Sequence, residues 1–434
     1  MSSAPPYPVA PMTAALKRFP EVLGIIPKPN NGGQRSQLRC YAPLQMASHA
    51  DEATAWLSDK ARAMAEAIAS LVEINSYTEN PEGGRQVGAL LRTLFAKGGI
   101  EAVVRPSERF ADHLVFRSRP DLPNRGAVAL LGHLDTVFPP GTFEGFRSDD
   151  TSAHGPGVLD MKGGLVVIAY ALRALAATGG LDAVVPVRVV VVADEEVGSP
   201  EGQGVIAAAI SGSSVCLVFE AGRAADAIIT RRRGTGGMTA IAHGRASHAG
   251  NAHEEGANAI WAAARFVDAV QRLTDYDRGV TVNVGRIAGG HSKNTVPDRV
   301  ETQLDLRFRT RVDGEQLVVS IQRAAEEAAA GVPGTRIELH GGISRTPLER
   351  TEESSRLCAE YAACARAHGL GSDEAPLIGG GSDASTAASL GIPAIDGLGP
   401  RGAGFHTKEE RIELSSLVPK AQALARFLAQ RTNG

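Results

Sequence analysis

Four apolar runs along the chain each end in an acid or a histidine. Gly126-Ala-Val-Ala-Leu-Leu-Gly132 leads into His133-Leu134-Asp135, and Val187-Arg-Val-Val-Val-Val-Ala193 leads into Asp194-Glu195-Glu196. Val215-Cys-Leu-Val-Phe219 leads into Glu220, and Pro393-Ala-Ile395 leads through a glycine-rich loop to His406. Such runs predict strands buried on both faces of a largely parallel sheet. Elsewhere the spacing turns helical. Ala55, Leu57, Ala61, Met64, Ile68 and Leu71 predict one helix from Asp51 to about Asn75. A second helix covers Gly84–Lys97, before a strand at Glu101–Arg105. Leu165–Ala177, interrupted by Arg173, reads as a buried helix and falls short of the ~18 apolar residues of a membrane span.

Strands and helices alternate to about Ile229, the mark of an α/β domain with helices on both sheet faces. Around Arg231-Arg-Arg-Gly-Thr-Gly-Gly237 the pattern changes. It then predicts a strand (Met238–Ala242), a helix (Ala257–Leu273), two strands (Val280–Ile287 and Asp298–Arg309), a helix (Gly314–Ala330) and a strand (Thr335–His340). This is an α+β unit of βαββαβ order inserted into the first domain, whose pattern resumes after Thr346. The expected division is residues 46–231 and 344–434 for the first domain and 232–343 for the insert. Residues 1–45 are rich in Pro, Gly and Ser and lack the apolar core of a secretory signal. They are expected to be a flexible extension or an untranslated start, with Met46 the preferred first residue.

The composition is globular: 434 residues, 43% hydrophobic and 21% charged, with a net charge of −3. That balance argues against nucleic acid or an anionic membrane as the main partner. The cysteines Cys40, Cys216, Cys358 and Cys364 form no CxxC pair, and Cys216 lies inside an apolar run. Reduced, buried thiols and a cytoplasmic location are expected.

In open α/β sheets, ligands sit outside the carboxyl ends of the strands. Nitrogen and oxygen donors converging there without a thiolate point to Zn²⁺ or a similar divalent ion. His133 and Asp135 are two apart, so on extended chain they face the same way, and Asp135 can hold the imidazole from behind. Gly155-Pro-Gly-Val-Leu-Asp160-Met-Lys-Gly-Gly164 is a turn into a helix, where Asp160 is either an ordinary N-cap or a carboxylate bridging two metals. Adjacent Glu195 and Glu196 diverge at a strand end, so one suits a metal and the other a general base. Acidic pairs also stabilise helix N-termini without any chemistry. Glu220 directly after Val-Phe needs a partner. Gly379-Gly-Gly-Ser-Asp-Ala384 is either an ordinary turn or a backbone cradle, with Gly380 and Gly381 offering N–H groups to a substrate. His406 is either exposed or a ligand. Charge favours the combined site: two Zn²⁺ ions balance Asp160, Glu196, Glu220 and a hydroxide, with neutral histidines at both ends.

Together these segments, with Gly244-Arg-Ala-Ser-His-Ala-Gly250 and Gly404-Phe-His406, resemble the M20 family of dizinc metallopeptidases and its glutamate carboxypeptidase-like group. The resemblance runs from about residue 54 to the end, in the family's order. It implies that His133 and Glu220 bind one metal, Glu196 and His406 the other, and that Asp160 bridges them. Glu195 would be the base and Asp135 would orient His133. The insert would be a lid and dimerisation domain, with His248 reaching the neighbouring subunit's site in a homodimer. Asn294 would lie by the substrate and Arg307 would bind its carboxylate.

The implied activity is hydrolysis of an amide bond by a cytoplasmic dizinc exopeptidase, with Co²⁺ or Mn²⁺ able to replace Zn²⁺. It would release a C-terminal amino acid, glutamate first, from a peptide or N-acyl amino acid. Two alternatives remain: an acetylornithine- or succinyl-diaminopimelate-type deacylase, and an inactive relative serving as a binding or assembly protein. No cluster of extra basic residues supports a phosphoesterase.

Overall fold

The computed structural model describes residues 42–432. The expectation for residues 1–45 therefore lies almost wholly outside the described residues, as does Cys40. The helices, in chain order, are α1 (Ala42–Leu57), α2 (Ala61–Val72), α3 (Pro81–Ala96), α4 (Gly163–Ala177), α5 (Gly202–Ile210), α6 (Ala259–Gln271), α7 (Arg311–Ala330), α8 (Glu352–Arg366), α9 (Ala384–Ser389) and α10 (Leu417–Ala429). The single helix expected from Asp51 to Asn75 is thus two. Consecutive polar residues Ser58, Asp59 and Lys60 break it, and Lys60 folds back over the Trp56 ring at 4.8 Å. Helix α3 begins earlier than its apolar pattern because Asn80 caps it, accepting from the Gly83 amide at 3.3 Å, with Pro81 in the first turn.

Strands β1 (Glu101–Arg105), β2 (His113–Arg117), β3 (Val128–His133), β4 (Val187–Val192) and β5 (Val215–Val218) form one sheet with Ala394–Ile395, in the order β1-β2-β4-β3-β5-(394–395). The strands β4, β3, β5 and 394–395 are mutually parallel, whereas β2 runs antiparallel to both β1 and β4. The sheet is therefore mixed but mostly parallel. Alternate residues of β3 show why its whole run is apolar. Val128 and Leu130 pack with α1–α4, α8 and α10, whereas Ala129 and Leu131 pack with α5 and α9. Both faces are covered.

A separate antiparallel sheet is built from β6 (Gly234–His243), β7 (Thr281–Gly289), β8 (Arg299–Phe308) and β9 (Arg336–Arg345), in the order β7-β8-β6-β9. One face is covered by α6 and α7 through Phe266, Val270, Leu317 and Ile321 packed on Met238, Leu304 and Leu306. Strands β6 and β9 run further than expected, back to Gly234 and on to Arg345, because only one face needs apolar residues, whereas β8 lies just inside its expected span and β7 is shifted toward Gly289. Two small antiparallel assemblies carry no such pattern in the sequence. One pairs Ser247–His248 with Thr295–Val296, and the other joins Gly402–Ala403, Arg411–Glu413, Ser152–His154 and Arg147–Ser148. No described helix is long and apolar enough to cross a membrane. Cys216, Cys358 and Cys364 are buried and unpaired.

Candidate metal centre

The sheet order explains the convergence of donors. Strand β3 lies between β4 and β5, so their carboxyl ends deliver His133, the Glu195–Glu196 turn and Glu220 side by side. Asp160 arrives from the turn Val158–Lys162 that opens α4. That turn fits closely against the sheet: Gly157 takes a left-handed φ of 78°, and a Cβ on Gly164 would stand 2.1 Å from the Phe219 carbonyl. His406, at φ 62°, reaches in from the loop after Gly402–Ala403.

The five expected ligands form a chain of contacts. His133 Nε2 is 3.7 Å from Glu220 Oε2 and 3.2 Å from Asp160 Oδ1. His406 Nε2 is 3.3 Å from Asp160 Oδ2 and 3.2 Å from Glu196 Oε2. Asp160 thus offers one oxygen to each histidine, the position of a bridging carboxylate. Donor atoms of His133, Glu195 and Glu220, and of His133, Asp160 and Glu196, lie within 4.8 Å of one another.

The electrostatics of this cluster fit bound cations. Burial pushes the Glu220 carboxyl well up and the Glu196 carboxyl up to about 7. Asp160, although buried, is held below the usual carboxylate range by hydrogen bonds from His133 and His406. Contacts with Asp160 and Glu196 push His406 up to about 10. Burial opposes protonation of His133, yet Glu220, Asp135 and Asp160 outweigh it and raise the imidazole well above its ordinary value. The carboxylates therefore call for positive charge at this place. Protons supply it in the metal-free protein, and a hard divalent ion suits the same oxygen and nitrogen donors.

Asp135 sits behind the cluster, 1% exposed. His133 Nδ1 contacts its main-chain carbonyl at 3.0 Å and its carboxylate at 3.4 Å. With Nδ1 so occupied, Nε2 faces the acids. The carboxylate itself does more than orient the ring. Oδ1 accepts from the Glu195 amide and Oδ2 from the Glu196 amide, both at 3.2 Å, while Thr78 Oγ1 donates to Oδ2 at 2.8 Å. It therefore fixes the turn that carries both glutamates.

Several supporting residues were missed in the sequence. Glu410, 1% exposed, accepts from the amides of Gly157, Leu159 and Asp160 at 3.2, 2.9 and 3.0 Å. It holds the glycine-rich turn that presents Asp160. Arg345 lies 2.8 Å from Glu195 Oε1 and 3.1 Å from Asp383 Oδ1. Arg232 donates to Asp396 at 2.6 Å and to the Gly380 carbonyl at 3.2 Å. No local pattern marked Thr78, Arg345 or Glu410. Arg231-Arg-Arg233 did stand out, as a boundary.

The residues expected from the insert are placed differently. His248 and Asn294 come together because Ser247–His248 pairs with Thr295–Val296. His248 Nδ1 accepts from the Gly250 and Asn251 amides at 3.1 Å, which puts Nε2 on the far side of the ring. Among the described residues, neither His248 nor Asn294 hydrogen-bonds to the five expected ligands. Arg307 is paired by two 2.9 Å hydrogen bonds to Asp305. It shares a sheet row with Thr235, which in turn pairs with Arg345, and Thr235 would touch a Cβ on Gly381 at 3.5 Å. Gly380 and Gly381 lie in the loop that leads through Ser382 and Asp383 into α9.

An α/β sheet whose strand ends gather two histidines and several carboxylates, with an antiparallel sheet beside it, defines a metallohydrolase of peptidase type. The model of peptidase family M20/M25/M40 matches residues 129–430, and the chain belongs to that family. It is 27% identical over 383 residues to carboxypeptidase G2 of Pseudomonas sp. (strain RS-16), covering 86% of this chain and 90% of that protein. It is 28% identical over 327 residues to acetylornithine deacetylase of Myxococcus xanthus, covering 71% and 81%. The fold is similar to that of aminopeptidase PepT from Bacillus cereus ATCC 10987, with a TM-score of 0.71 and 21% identity, covering 85% of this chain and 98% of that one. The chain is an M20 metallohydrolase of the kind that acts on peptides and acyl-amino acids.

Proposed function

We propose that the protein is a dizinc exopeptidase that cleaves the amide bond before a C-terminal amino acid, glutamate first, in a peptide or N-acyl amino acid. The observation that carries this reading is the run of contacts Glu220–His133–Asp160–His406–Glu196 with Glu195 beside it. Two Zn²⁺ ions, or Co²⁺ or Mn²⁺, held by those five residues would supply Lewis acidity and make a water acidic enough to attack at neutral pH. Glu195 would take the proton of the attacking water and return it to the leaving amine. Asp135 would keep both the imidazole and the glutamate turn in place. The Gly380–Gly381 loop and Asn294 would border the substrate, and Arg307 would exchange Asp305 for the substrate's α-carboxylate, which a guanidinium fork matches in bidentate fashion. The preference for glutamate is supported by the likeness to carboxypeptidase G2.

Residues 232–343 would act as lid and dimerisation domain. Strand β7 lies at a sheet edge with Ile287 52% exposed, and α6 carries Trp261 at 56%, apolar surface suited to a second copy. His248 would then complete the partner subunit's site. Unpaired buried cysteines suit a cytoplasmic protein.

The test is elemental analysis together with a hydrolysis screen of purified protein against N-acyl amino acids, dipeptides and folyl-glutamates. Release of a C-terminal residue by protein carrying two metals per chain is expected. Fully active protein with one metal or none would overturn the site. A second reading, an N-acyl amino acid deacylase, rests on the likeness to acetylornithine deacetylase. Cleavage of acetylornithine in preference to every acylglutamate would establish it instead.

A further inference from the structure

The chain crosses between its two sheets twice, at Thr230–Gly234 and at Arg345–Leu348, and the crossings lie against each other. Arg232 bridges Leu348 antiparallel, its amide donating to the Leu348 carbonyl at 3.0 Å. Each crossing sends one buried arginine toward the candidate site. Arg232, 4% exposed, holds Asp396 and the Gly380 carbonyl. Arg345, 6% exposed and the last residue of β9, reaches Glu195 itself.

The contacts of Arg345 embrace the base from two sides. Nη2 donates to the Glu195 carbonyl and to Ser199 Oγ, each at 3.0 Å. Nη1 stands 2.8 Å from Glu195 Oε1 and 3.1 Å from Asp383 Oδ1. Nη1 thus faces both carboxylates as a paired charge. Ser199 closes the group by donating to Asp383 Oδ1 at 2.7 Å. Meanwhile the Glu195 carboxylate also offers an oxygen within 4.8 Å of donor atoms of His133 and Glu220. It is stretched between the guanidinium and the metal donors. An ordinary structural ion pair would not need to hold both the main chain and the side chain of one residue. Gly381 leaves room for this arrangement, since a Cβ there would lie 3.0 Å from Arg345 Cδ.

We propose that Arg345 is the positioning residue of the general base, fixing the Glu195 carboxylate relative to the metal donors and tying it to the crossing between the two sheets. The proposal rests on Glu195 being the base of the reaction proposed above. Arg345 acts through Glu195. Removing it leaves the metal ligands in place but frees the carboxylate, and a misplacement of about 1 Å costs roughly 10²-fold in rate.

The experiment is a double-mutant cycle on the metal-loaded protein, using any substrate that the wild type hydrolyses. Arg345→Ala should retain both metals, keep KM within about threefold and lose kcat by roughly 10²-fold. Arg345→Lys should recover part of that loss, because it restores the charge without the fork. In a Glu195→Gln background, Arg345→Ala should cost no further activity, since residues that act as a unit are not additive. The same cycle read by thermal unfolding of the metal-free protein should show coupling between the two positions. Additive losses in kcat and in unfolding midpoint would overturn the proposal. So would a rise in KM at constant kcat, which would make Arg345 a substrate site, or loss of metal. A wild type that hydrolyses no amide would instead sink the functional reading, while the unfolding cycle would still report the coupling.

Discussion

Replacing Asp135 by Asn isolates what holds the metal centre from behind. The carboxylate is 1% exposed and receives the Glu195 amide on one oxygen, which also lies 3.4 Å from His133 Nδ1, and the Glu196 amide and Thr78 hydroxyl on the other. An asparagine has the same shape, but one acceptor becomes an NH₂ group. In its better orientation the nitrogen replaces Oδ2. The Thr78 hydroxyl can then turn to accept, but the Glu196 N–H faces another N–H. In the other orientation, the Glu195 N–H loses its acceptor, while His133 Nδ1 keeps the main-chain carbonyl at 3.0 Å. Either way a backbone amide is left unpaired, at a cost of about 1–3 kcal/mol. The negative charge behind His133 also disappears. Changes at such a supporting group typically cost roughly 10–100-fold in metal affinity. Thr78→Val is the control, since it removes one hydroxyl donor and leaves the carboxylate its other partners, for a loss of about 0.5–1.5 kcal/mol. Competition with a chromogenic chelator measures the affinities, and thermal unfolding of metal-free protein measures the stability. Asp135→Asn protein with wild-type affinity for both ions and an unchanged unfolding midpoint would refute the reasoning.

Glu195→Gln should keep both metals and lose at least the roughly 10²–10⁴-fold contribution of a general base, checked by kcat beside elemental analysis; chelation should abolish wild-type activity and added metal restore it. Metal-free protein should become less stable as pH rises from about 4.5 to 7; above that the loss at His406 is opposed by Lys162, whose ammonium burial pushes down to about 7. Glu196, raised to about 7, and His406, raised to about 10, bind protons more tightly folded than unfolded, so their stabilisation is present at low pH and is lost through those windows. Unfolding midpoints across that range, with and without Zn²⁺, check this, and the metal should flatten the slope because ions replace the protons. Arg307→Ala should erase a wild-type preference for a free C-terminal carboxylate over its amide, read as the ratio of kcat/KM values for the two substrates. Mixing His248→Ala with Glu195→Gln chains should restore activity in the mixed dimer if His248 serves the partner subunit.

What was legible in the sequence follows from where the information lies. His133 ends a buried strand, and Glu195, Glu196 and Glu220 come within four residues of the end of one, so local periodicity places them at a strand end, and the parallel sheet does the rest. The strand Val187–Val192 is apolar except for Arg188, whose guanidinium runs out to the carbonyls of Ser118 and Leu122. The antiparallel course of β2 has no such signature, because a strand buried on both faces reads the same in either direction. Arg345 meets Glu195 across 150 residues and Glu410 meets the Asp160 amide across 250, so no spacing rule can pair them.

The charge count shows the consequence. From sequence, two divalent ions balanced Asp160, Glu196, Glu220 and a hydroxide. The structure adds buried Asp135 and Asp383 and the Glu195 carboxylate to the same neighbourhood, and burial pushes Asp383 up to about 6. The metals alone would leave that excess uncompensated. Arg345 stands between Glu195 and Asp383, and the pair outweighs its burial to keep the guanidinium firmly charged. Asp135 is held by two backbone amides, the Thr78 hydroxyl and His133, and two cationic elements would divide the other carboxylates between them. The ions suit Asp160, Glu196 and Glu220, whereas Arg345 holds Glu195 and Asp383. Glu196 faces His406 and Glu195 faces Arg345, a division that would let the adjacent glutamates take the different roles proposed for them.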